Sequence, residues 1–376
     1  MVIFKGSEKR NKYQESKRSI EEQRLSHHEA MLYEKLPENK VHCYLCARHC
    51  KINEDETGFC SVRRNDKGTL YSLNYAKACS ACVDPITKKP LYHFQPGSLV
   101  MSIATVGCNF RCQFCDNWMV SQEKEVTGHD LPPEEVVKAT RENGCQGISY
   151  TYTEPTIFFE YAYDTAKLAR GVGFFNTFVT NGYMTPETVR AIAPYLDAAT
   201  VDFKAAADPE FYQKFSSVPS VKPIFEALAE MKRNGIHVEV TNLIIPKIGD
   251  SMNRLKELAL WVRDNLGEDT PFHLLRFHPD YKMTGQRATS VETMEESFVV
   301  ARKDVGLNYT YIGNVPGHRF ENTYCPSCNE LLIKRFSFEI VKWNLAKDMR
   351  CPACGQNIPI KGDLHPTRTA YPYALF

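Results

Sequence analysis

Three cysteines stand at C-x3-C-x2-C in this chain, Cys108, Cys112 and Cys115, in the run Cys-Asn-Phe-Arg-Cys-Gln-Phe-Cys. They follow directly on the apolar stretch 99–107. Three thiolates at this spacing can hold three irons of a [4Fe–4S] cluster and leave the fourth iron without a protein ligand. An open metal position marks a catalytic site, because a structural site closes its coordination shell. Phe114, just before the last cysteine, can shield such a cluster on its apolar side.

The other cysteines form further clusters. Cys325-Pro-Ser-Cys328 and Cys351-Pro-Ala-Cys354-Gly are two C-P-x-C knuckles with 22 residues between them, close to the pattern of tetrahedral zinc. Rubredoxin-like iron is the alternative at these four sulfurs. Cys43, Cys46 and Cys50 stand at C-x2-C-x3-C, with Cys60 further on. They can close around one zinc ion or carry an auxiliary [4Fe–4S] cluster, and the short run suits a single ion. Cys79 and Cys82 are spare ligands or buried thiols, and Cys145, standing alone, reads as a small buried apolar residue. Fourteen cysteines in a chain of this kind indicate metal more than disulfides.

Such chemistry needs elements that bring loop ends together. From 98 to about 313, strands and helices alternate. Strands are predicted to begin near Leu99, Gly147, Phe174, Ala198, His237 and Pro271. Helices are predicted over 132–143, 156–170, 185–194, 222–234 and 252–266. In the last, Leu255, Leu258, Ala259, Val262 and Leu266 recur at helical spacing. Pro132-Pro133-Glu134-Glu135 and Thr185-Pro186-Glu187 read as helix starts. Six βα units give an α/β fold with a parallel sheet. The stretch is too short for a closed eight-fold barrel of about 250 residues. A partial (β/α)6 TIM-type barrel over 98–319 is the expectation.

Around it, 1–40 reads as a charged helical arm, as in Ser19-Ile20-Glu21-Glu22-Gln23-Arg24-Leu25. Residues 41–97 form a cysteine-rich, metal-binding segment in which Asp66-Lys67-Gly68 marks a hairpin. Residues 320–376 form a small zinc-ribbon-like module and tail. The chain has 376 residues, 43% hydrophobic and 24% charged, with net charge +1. Bulk charge therefore gives no argument for nucleic acid or a membrane surface. No apolar stretch approaches the roughly 18–20 residues of a spanning helix, and no signal-peptide core opens the chain, so a cytoplasmic location is expected.

In parallel barrels, function gathers at the C-terminal ends of the strands. Polar residues there are Glu154 after the second strand, the Asn181-Gly182 turn after the third, and Asp202 and Lys204 after the fourth. Asp202 and Lys204 share one side of a strand by alternation. A lysine in a barrel mouth needs an anion. Asn242 closes the fifth strand and His278 the sixth.

The cysteine loop with these strand ends resembles the radical S-adenosylmethionine (SAM) superfamily, whose signature is C-x3-C-x-aromatic-C. Glu154 matches the acid of the family's Gly-Gly-Glu motif, with Tyr152 and Thr153 in place of the glycines. Val179-Thr180-Asn181-Gly182 is similar to the Asp-Thr-Asn-Gly turn of pyruvate formate-lyase activating enzymes, with Val179 replacing Asp. Asp202-Phe203-Lys204 is similar to their Asp-Leu-Lys. The block from Asp84-Pro85-Ile86-Thr87-Lys88-Lys89 to Gly97, Gly58-Phe59-Cys60 and Phe277-His278-Pro279-Asp280 add a likeness to AmmeMemoRadiSam-system radical SAM enzymes. Those enzymes have Gln-Asn where this chain has Asp116-Asn117.

The resemblance implies a [4Fe–4S] cluster on Cys108, Cys112 and Cys115 that cleaves SAM reductively to a hydrogen-abstracting 5′-deoxyadenosyl radical. Glu154 and Lys204 would hold the amino-acid end of SAM. Asn181 and Asp202 would stand beside them, Asn242 at the ribose and His278 near the nucleoside. It also implies a flavodoxin- or ferredoxin-like electron donor. The substrate is a small molecule or a side chain; the alternative is a partner protein that receives a glycyl radical. A nucleic-acid-modifying radical enzyme and a non-catalytic metal-rich binding protein are the lesser readings.

Overall fold

A computed structural model describes residues 28–365. Its centre is one eight-stranded sheet whose strands follow each other in chain order. They are β1 (Ser80–Pro85), β2 (Leu99–Ala104), β3 (Gly147–Tyr150), β4 (Phe175–Thr180), β5 (Ala198–Lys204), β6 (His237–Ile244), β7 (Phe272–Arg276) and β8 (Thr310–Gly313). Strands β2 to β8 are parallel, and β1 pairs antiparallel with β2 from Ser80↔Ala104 to Pro85↔Leu99. The edges β1 and β8 do not pair with each other, so the sheet is a partial barrel with an open seam.

The six expected strands are all present, and the structure adds β1 and β8 at the two edges. The five expected helices between them are present as α1 (Pro133–Glu142), α2 (Phe159–Gly171), α3 (Pro186–Ile192), α4 (Lys222–Arg233) and α5 (Met252–Leu266). Proline opens α1 and α3, where a missing N–H costs nothing. Thr185 and Ser251 cap α3 and α5 by accepting from the backbone N–H of Thr188 and Arg254. Helix α5 buries Leu255, Leu258, Ala259, Val262 and Leu266 against the sheet. A fully buried leucine or valine of this kind contributes about 1.5–3 kcal/mol.

The inner face of the sheet is unusually polar. Thr200, Asp202, Thr241 and His273 face a central cavity, and the segment after β1 enters the lumen from the opposite end. There the Tyr92 and His93 N–H groups donate to Glu239 at 3.0 and 2.7 Å, and Thr200 Oγ1 donates to Lys89 O at 2.6 Å. Burial tends to raise the Glu239 pKa. Hydrogen bonds from His237 and His273 outweigh it and hold the carboxyl well below its ordinary range.

Before the barrel, two small antiparallel sheets replace the expected helix over 28–40: His28–Glu29 pairs with Thr69–Ser72, and Tyr33–Lys35 with Val41–Cys43. The quoted helical stretch 19–25 lies outside the described residues. Arg63–Asp66 and Thr69–Ser72 form the expected hairpin, with Lys67 and Gly68 at φ 49° and 80°, as a tight two-residue turn requires. Arg63 ties this segment to α2. Its Nη1 donates to both Glu160 oxygens at 2.9 and 3.0 Å, and its Nη2 to Met31 O at 2.7 Å, in a fully buried pair. After β8, Thr323–Tyr324, Leu331–Phe336 and Glu339–Trp343 make a three-stranded ribbon. No helix of the described residues is long and apolar enough to cross a membrane.

Candidate active site

The loop after β2 carries Cys108, Cys112 and Cys115 to one end of a cavity of about 800 Å³. Helix Pro209–Ser216 pins the loop, since the Arg111 and Gln113 N–H groups donate to Ser216 O and Phe215 O, both at 2.9 Å. Each sulfur meets a hydrogen-bonding group. Phe110 N–H points at Cys108 Sγ at 3.4 Å, Ser216 Oγ lies 3.4 Å from Cys112 Sγ, and Ser121 Oγ 3.2 Å from Cys115 Sγ. Such donors stabilise thiolates bound to iron. Burial above all raises the Cys112 thiol to about 11 and also raises Cys108, to which the Glu154 charge adds. Three half-buried thiols with hydrogen-bonding groups at their sulfurs fit a cluster that takes them as thiolates.

Glu154 follows β3 and is buried on the cavity wall. Its Oε1 accepts from Thr156 N and Thr180 Oγ1 at 3.1 and 2.7 Å, and its Oε2 from Asn181 N at 2.8 Å. It therefore caps the short helix Pro155–Phe158 while facing the cavity. Burial raises its pKa, and these hydrogen bonds oppose the rise. Tyr152 stands where the related motif has glycine, and it keeps the glycine-like conformation at φ 64°. Its side chain turns away, and its hydroxyl donates to Asp84. Asn117 Nδ2 holds the Tyr152 carbonyl at 2.9 Å. Asp116 lines the cavity, its carboxyl raised by burial and then by Asp280.

The Asn181-Gly182 turn serves the cysteine loop. Asn181 Nδ2 donates to Asn109 Oδ1 at 2.7 Å, and its Oδ1 accepts from Tyr183 N at 2.9 Å. Gly182 sits at φ +71°, and a Cβ there would meet Val201 and Ile224 at 2.8 and 2.9 Å. Asp202 and Lys204 both line the cavity and form an ion pair with each other. Thr241 Oγ1 donates to Asp202 Oδ1 at 2.5 Å. Burial pulls the Lys204 pKa down, but Asp202 and the nearby cysteines outweigh it and hold the pKa above its ordinary value.

Two expected residues fall elsewhere. Alternation along β6 turns Thr241 and Leu243 toward the cavity, and Asn242 lies outside its lining. Asn242 Oδ1 instead accepts from Ala206 N at 2.8 Å. His278 is exposed in the loop after β7, within electrostatic reach of Asp116 but off the cavity wall. The next turn of that loop packs on the cysteine loop, with Tyr281 stacked on Trp118 at 5.0 Å.

The sequence reading missed the far wall. Asp84 forms ion pairs with Lys88 and Lys89 at 2.8 and 2.7 Å, and the Tyr152 ring lies 4.5 Å from the Lys89 ammonium. Burial pulls Lys89 down to about 8, with Asp84 opposing it. Thr87, Lys88, Lys89 and Tyr92 line the cavity, together with Ser337 and Phe338 of the ribbon. Thr87 Oγ1 donates to Phe338 O at 2.5 Å, so the ribbon bridges from the β8 edge to the segment after β1. The motif residues of 84–92 were visible in the sequence as a likeness without a position. The antiparallel edge strand ending at Pro85 gives them one.

The four ribbon sulfurs of Cys325, Cys328, Cys351 and Cys354 all lie within 4.8 Å of one another and could hold a metal ion. Cys43 and Cys50 are register partners across a strand pair, with Cys46 in the loop between them. Burial first, and then the neighbouring thiols of Cys43, Cys60 and Cys50, push the Cys46 thiol up. Cys79 and Cys82 lie on the β1 side, where Cys82 Sγ is 3.7 Å from Ser80 Oγ, and Cys145 is buried in the core.

Residues 102–262 match the Radical SAM superfamily. This chain is 48% identical over 335 residues to the uncharacterized protein MJ0808 of Methanocaldococcus jannaschii, covering 88% of this chain and 99% of the relative. It is 24% identical over 281 residues to the uncharacterized protein MJ0674 of the same organism, covering 69% and 74%. The chain belongs to the radical SAM superfamily. Among solved structures, it is similar to a radical SAM methyltransferase from Sphaerobacter thermophilus at 18% identity and TM-score 0.46, covering 58% of this chain and 66% of that one. A domain of pyruvate-formate lyase-activating enzyme from Bacteroides vulgatus matches at 19% identity and TM-score 0.39, covering 45% and 99%.

Proposed function

We propose that this radical SAM enzyme acts on a small molecule or a single side chain enclosed in the barrel lumen. One observation carries the reading. The cavity runs from the three cysteines past Glu154 and Lys204 to a far wall of Lys88, Tyr92 and Phe338. When bound, the cluster and SAM supply a 5′-deoxyadenosyl radical that abstracts hydrogen. Cys108, Cys112 and Cys115 hold the cluster. Glu154 Oε2 keeps acceptor capacity beyond Asn181 N for an ammonium group. Lys204, leaving Asp202, meets a carboxylate. Asn181 and Asp202 act as positioning residues. The ribbon takes zinc on its four cysteines, and a flavodoxin- or ferredoxin-class carrier is the electron donor.

A glycyl-radical activase needs room for a partner's peptide loop. Here the ribbon narrows the seam of the open barrel, which favours the enclosed substrate. The test is anaerobic, dithionite-driven release of 5′-deoxyadenosine from SAM, comparing the protein with a variant carrying alanine at Cys108, Cys112 and Cys115. Product from the unaltered protein alone supports the reading. A reducible cluster with no product, alone or with cell extract as a source of substrate, contradicts it.

A further inference from the structure

The geometry of the N-terminal quartet can be judged against the two other cysteine sets described above. Tetrahedral zinc with Zn–S near 2.3 Å brings its four sulfurs to about 3.8 Å of one another. The ribbon quartet is built to that scale, with Cys325–Cys354 and Cys328–Cys351 sulfurs 3.5 and 3.6 Å apart. A four-iron cube carries each thiolate on a separate iron, so its ligands stand wider apart. Among the described residues, the ribbon is the only set of three or more such side chains whose ligand atoms all lie within 4.8 Å. The triad of Cys108, Cys112 and Cys115 falls outside that limit, as a cluster site should. Cys43, Cys46, Cys50 and Cys60 fall outside it too.

These four nonetheless converge. Cys43 pairs with Cys50 across the sheet, and Cys46 is close enough to feel the charges of Cys43, Cys50 and Cys60. Gly58, two residues before Cys60, packs on Cys50, since a Cβ there would lie 3.6 Å from its Sγ. Cys43 and Cys60 are buried.

The quartet also adjoins the cluster loop. Arg48 Nε and Nη2 donate to Asn109 O, beside Cys108, at 3.0 and 2.8 Å, and its guanidinium lies 3.8 Å from the Phe59 ring centroid. In the opposite direction, Arg111 bridges Cys108 O at 2.6 Å and the Phe59 carbonyl. Gly107, at φ +96°, lets the two loops touch, because a Cβ there would lie 3.0 Å from Cys60 O.

We propose that Cys43, Cys46, Cys50 and Cys60 hold a second [4Fe–4S] cluster, closed by four protein ligands and adjoining the first. Its closed shell excludes SAM and leaves it electron storage or transfer. This inference does not depend on SAM cleavage, so the 5′-deoxyadenosine test and the following test fail separately.

The experiment is iron, zinc and acid-labile sulfide analysis of the full chain purified anaerobically, with electron paramagnetic resonance after dithionite. About eight irons, eight sulfides and one zinc per chain are expected. The variant with alanine at Cys108, Cys112 and Cys115 should keep about four irons and four sulfides, with a reduced-cluster signal that SAM does not alter. A further Cys46→Ser change should remove them. In the doubly reduced protein, the two signals should broaden each other. Four irons and two zincs in the unaltered protein, or iron without sulfide in the alanine variant, would overturn the proposal, because a single ion would then occupy the quartet or the iron would sit in the ribbon.

Discussion

The chain carries two cysteine quartets, one before the barrel on loops that bond to the cysteine loop and one after it in a ribbon whose hairpin lines the far wall of the cavity. The N-terminal quartet sits on loops bonded to the cysteine loop through Arg48 and Arg111. The C-terminal quartet anchors a ribbon whose hairpin meets the far wall. Arg335 lies 4.2 Å from the Tyr92 ring, and Tyr311 OH is 2.9 Å from Thr323 Oγ1. Equal numbers of cysteines thus adjoin different ends, one the cysteine loop and the other the far wall. Sulfur spacing and contacts separate them, whereas the cysteine count does not.

Breaking the ribbon gives the sharpest test of this division. Structural zinc contributes on the order of 10 kcal/mol or more to small modules. Cys351→Ser should unfold the ribbon, seen as new trypsin cleavage within 320–345, while the barrel keeps its circular dichroism. SAM affinity by equilibrium dialysis should change by no more than about three-fold. A much larger loss would mean that the ribbon also reaches the cofactor end and would erase the contrast.

The N-terminal segment depends instead on a buried ion pair. Glu160→Gln leaves Arg63 charged and uncompensated in the interior, which costs about 3–5 kcal/mol. A lowered urea midpoint together with loss of iron from the N-terminal quartet is expected. An unchanged midpoint would show that the segment is held by other contacts. At the cofactor end itself, Lys204→Met should cost about 1.5–3 kcal/mol in SAM binding, the range for hydrogen bonds to charged groups. Dialysis showing unaltered affinity would remove Lys204 from the site.

The segment behind the far wall should be the acid-sensitive part. Burial above all holds His93 down to about 3, with Glu239 only partly opposing it. The imidazole ring lies 2.6 Å from Tyr311 OH. Since the folded pKa is depressed, the contribution is complete above about pH 6.5 and declines as pH falls toward 3. The slope is at most about 1.4 kcal/mol per unit for one group. Thermal melts from pH 7 to 5 should show this decline, and His93→Asn should flatten it. An equal slope in that variant would assign the acid sensitivity to other groups.

Much of the fold was legible because the barrel repeats one pattern. Apolar runs at Leu99, Gly147, Ala198 and His237 alternate with capped amphipathic helices, and each became the expected strand. Strand β1 escaped because Ser80, Cys82 and Asp84 interrupt its apolar character, and β8 because the expected domain closed after six units. At the site, residue type together with alternation located Asp202 and Lys204. Asn242 failed on the same alternation, since likeness to a motif gives a position in the chain and not the side of the strand. The donors Ser121, Ser216 and Thr180 carry no sequence signal. They are ordinary helix and strand residues until folding sets them beside sulfur or carboxylate.

Immediately after Lys204, three successive alanines, Ala205, Ala206 and Ala207, occupy left-handed backbone at φ 47°, 51° and 60°. Each such conformation is disfavoured for a residue with a Cβ by roughly 1–2 kcal/mol. Asn242 fastens the middle one, and Tyr212 OH accepts from Lys204 N–H at 3.1 Å. The strand end that presents the ammonium is thus rigid before any ligand arrives. Little disorder remains there to be lost on association, so calorimetry of SAM binding should show a small entropic penalty, and glycine at Ala206 should enlarge it.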